Sequence, residues 1–342
     1  MKLAILFMAL AYLSIILCST VRAAPGWPPE AEQVQYLSSG DSTLQPALFY
    51  APDVNEAYPV LVALHTWSGD YLQASSVPYL LWCIENDWAF IHPNFRGFNN
   101  KPEATGSELV VADIMSAVDY AISSANADLG RIYLVGASGG GHAALLMAGR
   151  APDIWAGVSA WVPITDLAAW YFESKARGAS YANHIVMSTG GIPGASAEVD
   201  SQYKARSPIT HLANATAPLD INAGINDGHT GSVPISHSLN AFNLLASPAD
   251  QISEDDTKFF VEKAQVPPHL KEPISDGTYG IKAPLFRRTS NNIRVTIFNG
   301  GHEIVHQAAL TWLSQQEKSQ NMVSVSRQAK LSTIWGRIKA QR

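Results

Sequence analysis

The chain has 342 residues, a formal charge of −6 and two cysteines. An acidic protein has no electrostatic reason to bind nucleic acid, where affinity is built on phosphate neutralisation. Two cysteines cannot make a disulfide framework, and the length suits one large α/β domain.

In chain order, residues 1–23 read as a secretory signal peptide. Lys2 precedes an apolar run to Leu17, and Val21 and Ala23 supply small-x-small spacing before a cut ahead of Ala24. The expectation is a secreted or periplasmic protein. The apolar run is short for a membrane span, and no later segment is long enough to be one. Losing Lys2, Arg22 and Cys18 with the leader takes the charge from −6 to −8. It leaves Cys83, in the apolar helical context LLWCIEND, as a buried inert thiol. QVQYLSS and ALFYAP look like an opening antiparallel pair. PVLVALH (59–65) reads as a strand, YLLWCIEN as a helix and WAFIHPNF (88–95) as the next strand. SELVVADIMSAVDYAISSA (107–125) is a helix with Ser107 and Glu108 at its start. RIYLVGASGGGHAALLM (131–147) passes from strand to helix without a loop. AGVSAWVPI, LDINAGIN (219–226) and IRVTIFNG (293–300) are further strands before the helical VHQAALTWLS.

This alternation predicts an α/β fold, a mostly parallel sheet with helices on both faces. Two stretches break it. Residues 165–216, rich in Tyr, Trp, Gly and Ser, are expected as a cap insertion over the carboxyl ends of the strands, where open α/β sheets bind ligands. Residues 248–290, polar and proline-punctuated, are expected as a surface insertion. A catalytic domain would then span 24–316, with a basic tail over 317–342.

The chemistry begins at 131–147, where one hydroxyl, Ser138, stands among Gly136, Gly139, Gly140 and Gly141. Joining a buried strand to a helix with no loop forces the residue at the apex into strained backbone, and glycines remove the Cβ atoms that would collide there. This is the G-x-S-x-G nucleophile elbow of α/β-hydrolases. A dinucleotide loop fits worse, because Ser138 stands where the second glycine of G-x-G-x-x-G belongs.

A serine hydroxyl needs a base, and the base needs an orienting acid, each following the serine at the end of a later strand. His302 alone follows a strong strand in a glycine-flanked loop, RVTIFNGGHEIVHQ. His65, His92 and His142 suit cap or packing roles, His184, His211, His229, His237 and His269 fall in insertions or helices, and His306 packs or reaches solvent. Asp227, in the GINDGH turn, is favoured as the acid over Asp220, which lies inside the preceding strand; a plain Asn-Asp-Gly turn is the structural alternative for Asp227. Gly139 supplies one oxyanion N–H. Trp67 is the choice for the second by position, with Thr66 and Ser68 as alternatives in the same loop.

GASGGGHAALLMAGRAPDIWAGVSAWVPITDL resembles the segment around the nucleophile in the catalytic domain of the prolyl oligopeptidase family. So do HPNFRG, KARSPITHL, GIND followed by VPISHS, and NGGHE, together spanning about residues 55–315 with gaps. The resemblance implies the α/β-hydrolase fold and a Ser138–Asp227–His302 triad. Three features depart from the family's peptidases: no room for their β-propeller, Gly139 where a bulky aromatic is common, and extra residues between Asp227 and Val233-Pro234. Secreted acetyl xylan and feruloyl esterases are similar to the core without a propeller. The expected function is therefore a secreted serine esterase acting on small or carbohydrate-linked esters. A peptidase on peptide substrates is the alternative, and a catalytically silent binding protein the third reading.

Trp67, Trp170 and Tyr171 are expected to line the cleft as flat apolar platforms, while Trp161 serves equally as core. Arg96, in NFRG, is a candidate for an anionic substrate group or for a structural hydrogen bond. No cofactor or metal is expected, since His65, His92 and His229 lack ligand spacing. Asn214-Ala215-Thr216 fits a glycosylation acceptor.

Overall fold

The computed structural model describes residues 24–318. The expected signal peptide (1–23) and all but the first two residues of the expected tail (317–342) lie outside the described residues. The elements run β1 (Glu32–Leu37), β2 (Leu44–Tyr50), β3 (Tyr58–Leu64), α1 (Val77–Glu85), β4 (Ala89–Pro93), α2 (Glu108–Ser124), β5 (Ala127–Ala137), α3 (Gly139–Arg150) and β6 (Gly157–Trp161). They continue through α4 (Leu167–Ala176), α5 (Tyr181–Thr189), α6 (Ala197–Arg206), α7 (Pro208–His211), β7 (Leu219–Gly224), α8 (Ser236–Leu245), α9 (Glu254–Lys263), β8 (Pro284–Ser290), β9 (Ile293–Phe298) and α10 (His306–Ser314).

The strands form one sheet in the order β1-β2-β4-β3-β5-β6-β7-β9-β8. The six from β4 to β9 in that order pair in parallel, while β1, β2 and β8 add antiparallel edges. Strand β3 shows why the centre is parallel: all seven residues of YPVLVAL are buried, as a strand covered on both faces must be. Its side chains alternate between two cores. Val60, Val62 and Leu64 pack with α2 and α3, whereas Leu61 and Ala63 pack with α1 and α10. Helix starts are capped from the sequence: Ser107 Oγ accepts from the Val110 amide at α2, and Asp166 accepts from Ala168 and Ala169 at α4.

The interruption at 165–216 is helical, comprising α4 to α7. Trp67, in the loop at the carboxyl end of β3, meets Trp170 of α4 edge-on at 4.7 Å, so this cap sits against the carboxyl ends of the strands. The expected surface insertion at 248–290 is more deeply built in than its polar composition suggested. It contains α9 and the edge strand β8, and buries Phe260, Tyr279 and Phe286. Lys318 also docks, its amide donating to the Gly130 carbonyl.

Candidate active site

β5 ends at Ala137 and α3 begins at Gly139, leaving Ser138 alone at the turn with φ 58° and ψ −118°. That left-handed backbone is uncommon for a residue with a Cβ. It is held from both sides: the Ser138 amide donates to the Trp161 carbonyl at 2.9 Å, and its carbonyl accepts from the His142 amide at 2.8 Å. Only the side chain is left to project from the elbow.

From the end of β7 comes Asp227, 2% exposed. Its Oδ1 accepts from the amides of Gly228 (3.0 Å) and Val233 (3.1 Å), which fixes the carboxylate. Its Oδ2 stands 2.8 Å from His302 Nδ1. An ionised carboxylate only accepts, so Nδ1–H donates and the neutral ring presents a lone pair at Nε2. Nε2 lies 2.8 Å from Ser138 Oγ, whose hydroxyl donates to it. Asp220 has no part in this chain of bonds. Inside β7 it accepts from Arg294 Nε at 2.6 Å and from Ser159 Oγ at 2.9 Å.

The loop after β3, expected to carry the second oxyanion donor, packs directly on the elbow. A Cβ on Gly139 would run into the backbone nitrogen and Cα of Trp67, so only glycine allows the approach. The Gly139 amide, in the first turn of α3, has no intrahelical acceptor. Of the alternatives for the second donor, Thr66 is committed elsewhere, its amide donating to Gln73 Oε1 at 3.0 Å. The Trp67 peptide is anchored by its carbonyl, which accepts from the Asn99 amide (3.0 Å) and Asn99 Nδ2 (3.1 Å).

A cleft of about 410 Å³ opens over Ser138, lined by Trp67, Tyr79, Tyr181, Glu303 and His306 among others. Burial would raise the Glu303 carboxyl, but the Lys282 ammonium at 2.7 Å and the Gly301 amide hold it below the usual range. Burial pushes His306 down to about 4, so its ring is neutral in the cleft wall.

Three expected substrate contacts are corrected. Trp170 and Tyr171 are 1% and 4% exposed and fill the cap's own core with Leu167 and Ile185; Trp67 lines the cleft but is itself 2% exposed and packs into the same core. Arg96 is spent on structure: its guanidinium pairs with Asp113 (2.7 and 2.9 Å) and Asp41 (2.7 and 3.0 Å) and has no face toward the cleft. Trp161 is core, its Nε1 donating to Ser159 Oγ. His65 and His142 are buried and bonded to backbone carbonyls, and His92 is buried beside His65. Sequence reasoning missed the wall formed by Tyr79, Tyr181, Glu303 and His306. Glu303 carried a signal, being adjacent to His302; the two tyrosines carried none, since only tertiary packing brings α1 and α5 to the elbow.

The prolyl oligopeptidase family matches residues 83–260, more than half of the chain. The acylamino-acid-releasing enzyme of Arabidopsis thaliana is 32% identical over 170 residues, covering 44% of this chain and 20% of that protein. The chain thus spans about a fifth of that relative's length. Two solved structures share the fold at 15% identity. They are an acylaminoacyl peptidase in complex with Z-Gly-Gly-Phe-chloromethyl ketone (TM-score 0.54, covering 86% of this chain and 43% of that one) and puromycin hydrolase (TM-score 0.55, covering 84% and 38%). Among the described residues there is one nine-stranded sheet and no propeller. The chain belongs to the prolyl oligopeptidase family and is a serine hydrolase of α/β-hydrolase fold.

Proposed function

We propose that the protein is a serine peptidase that cleaves amide bonds of short or N-acylated peptides through an acyl-enzyme, with Ser138, His302 and Asp227 as its triad. The observation that carries this reading is the unbroken run of hydrogen bonds from Asp227 Oδ2 through the imidazole to Ser138 Oγ, 2.8 Å at each step, in a chain of a peptidase family. Ser138 Oγ attacks the scissile carbonyl as His302 Nε2 takes its proton, and Asp227 stabilises the imidazolium so formed. The developing oxyanion turns toward the Gly139 and Trp67 amides. His302 then passes the proton to the leaving amine, and water repeats the sequence on the acyl-enzyme. Family membership and the named relative favour amide over the ester substrates expected from the sequence.

Export after cleavage at Ala23 belongs to the same proposal. So does the division into a catalytic domain over 24–316 with its cap at 165–216. The test is a panel of N-acetyl-alanine p-nitroanilide, Gly-Pro-p-nitroanilide and acetylated xylan. Turnover of an anilide is the expected result; deacetylation of xylan with neither anilide cleaved would replace the peptidase reading with an esterase.

A further inference from the structure

The loop between Asp227 and Val233 lies directly on the acid–base pair. A Cβ on Gly231 would collide with Asp227 Oδ1 and come within 2.7 Å of His302 Cβ. The loop is gripped from the cap. Arg177, just past the end of α4, donates from Nη1 to the carbonyls of Gly228 (3.1 Å) and Gly231 (3.3 Å), and from Nη2 to that of Ser232 (2.6 Å). Its Nε donates to the Glu173 carbonyl at 3.3 Å, tying the guanidinium back to its own helix. Trp170 Nε1 also donates to the Ser232 carbonyl, at 2.9 Å. On the far side, His229 Nε2 donates to the Val261 carbonyl of α9 at 2.6 Å.

We infer that Arg177 is a positioning residue: by holding three carbonyls of the 228–232 loop it keeps that loop pressed on the Asp227–His302 hydrogen bond and couples the cap to the triad. The inference rests on the triad proposed above. Releasing the loop loosens Gly228 and Val233, whose amides fix the Asp227 carboxylate, and admits water beside the pair. A carboxylate that is less well aimed stabilises the imidazolium less as Ser138 gives up its proton.

The test uses p-nitrophenyl acetate, which an esterase or a peptidase turns over, so failure of the amide preference leaves it readable. Arg177→Ala is expected to lower kcat roughly 10- to 100-fold with KM within threefold, the scale of a small misplacement of a catalytic group. Arg177→Lys should recover part of the loss in kcat. If Arg177→Ala does not fold, Gly231→Ala presses on the same pair from the loop side and should likewise lower kcat with KM held. A folded Arg177→Ala, or in its place Gly231→Ala, with the kcat of the parent protein would overturn the inference.

Discussion

Asp220 and Asp227 lie seven residues apart, both almost fully buried, yet they serve two different regions of the sheet. Near the start of β7, Asp220 is closed in by Arg294 and Ser159 on the neighbouring strands, and every oxygen is committed to fixed partners. At the carboxyl edge, Asp227 spends one oxygen on the amides of its own turn and aims the other at an imidazole that is half-buried at the cleft. The same residue type is a brace in one region and, in the proposed triad, an orienting acid in the other. What differs is whether the partner can change its protonation state in contact with a ligand.

Substitution by asparagine separates the two most sharply. Asp227→Asn keeps an oxygen for the turn amides but places an NH2 opposite His302 Nδ1 or forces the wrong tautomer. It is expected to lower kcat by roughly two to four orders of magnitude with the thermal midpoint nearly unchanged. Asp220→Asn leaves Arg294 charged and 17% exposed without its counter-ion, and is expected to cost about 3 kcal/mol of stability while kcat stays within a few-fold. Kinetics and urea unfolding on both variants check the contrast; activity loss in Asp220→Asn at full stability would erase it.

The edge can be probed further at Gly139. Its alanine variant must push the Trp67 peptide away, and one displaced oxyanion donor corresponds to roughly a hundredfold in kcat. KM should change little, because the lost contact forms mainly in the transition state. A variant with parental kcat would show that the Trp67 amide has no such role.

A smaller effect tests the interior. Burial pushes His142 down to about 4 and His92 to about 3, against an ordinary 6.5. The unfolded chain therefore binds protons between these values that the folded chain refuses. Their contribution is present in full above pH 6.5 and is lost as pH falls through about 4. Urea midpoints should be flat above pH 6.5 from this source and decline below it, with the decline shallower in a folded His142→Asn variant.

The carboxyl edge was the more legible region. Ser138 could be read from residues 131–147 because strand, glycines and helix are contiguous there. His302 and Asp227 could be placed because each follows a strand whose apolar run is unmistakable. The failures came where the deciding partner is remote. Arg96 finds Asp113 seventeen residues on and Asp41 fifty-five residues back, so nothing local showed that its charge was already matched. Trp170 and Tyr171 have the composition of a binding wall, but α5 and α6 fold over them and make them a core. Segment 248–290 looked like a surface excursion because its polar residues outnumber the few, Ile252, Phe260, Val266, Tyr279 and Phe286, that anchor it.

The central claim is that Ser138 is the nucleophile of a triad completed by His302 and Asp227. It is tested most directly by treating the purified protein with a fluorophosphonate and locating the adduct by peptide mass spectrometry. A single adduct on Ser138, absent from Ser138→Ala and formed far more slowly in Asp227→Asn than in Asp220→Asn, is the expected result. An adduct on another residue, or labelling that persists in Ser138→Ala, would contradict it.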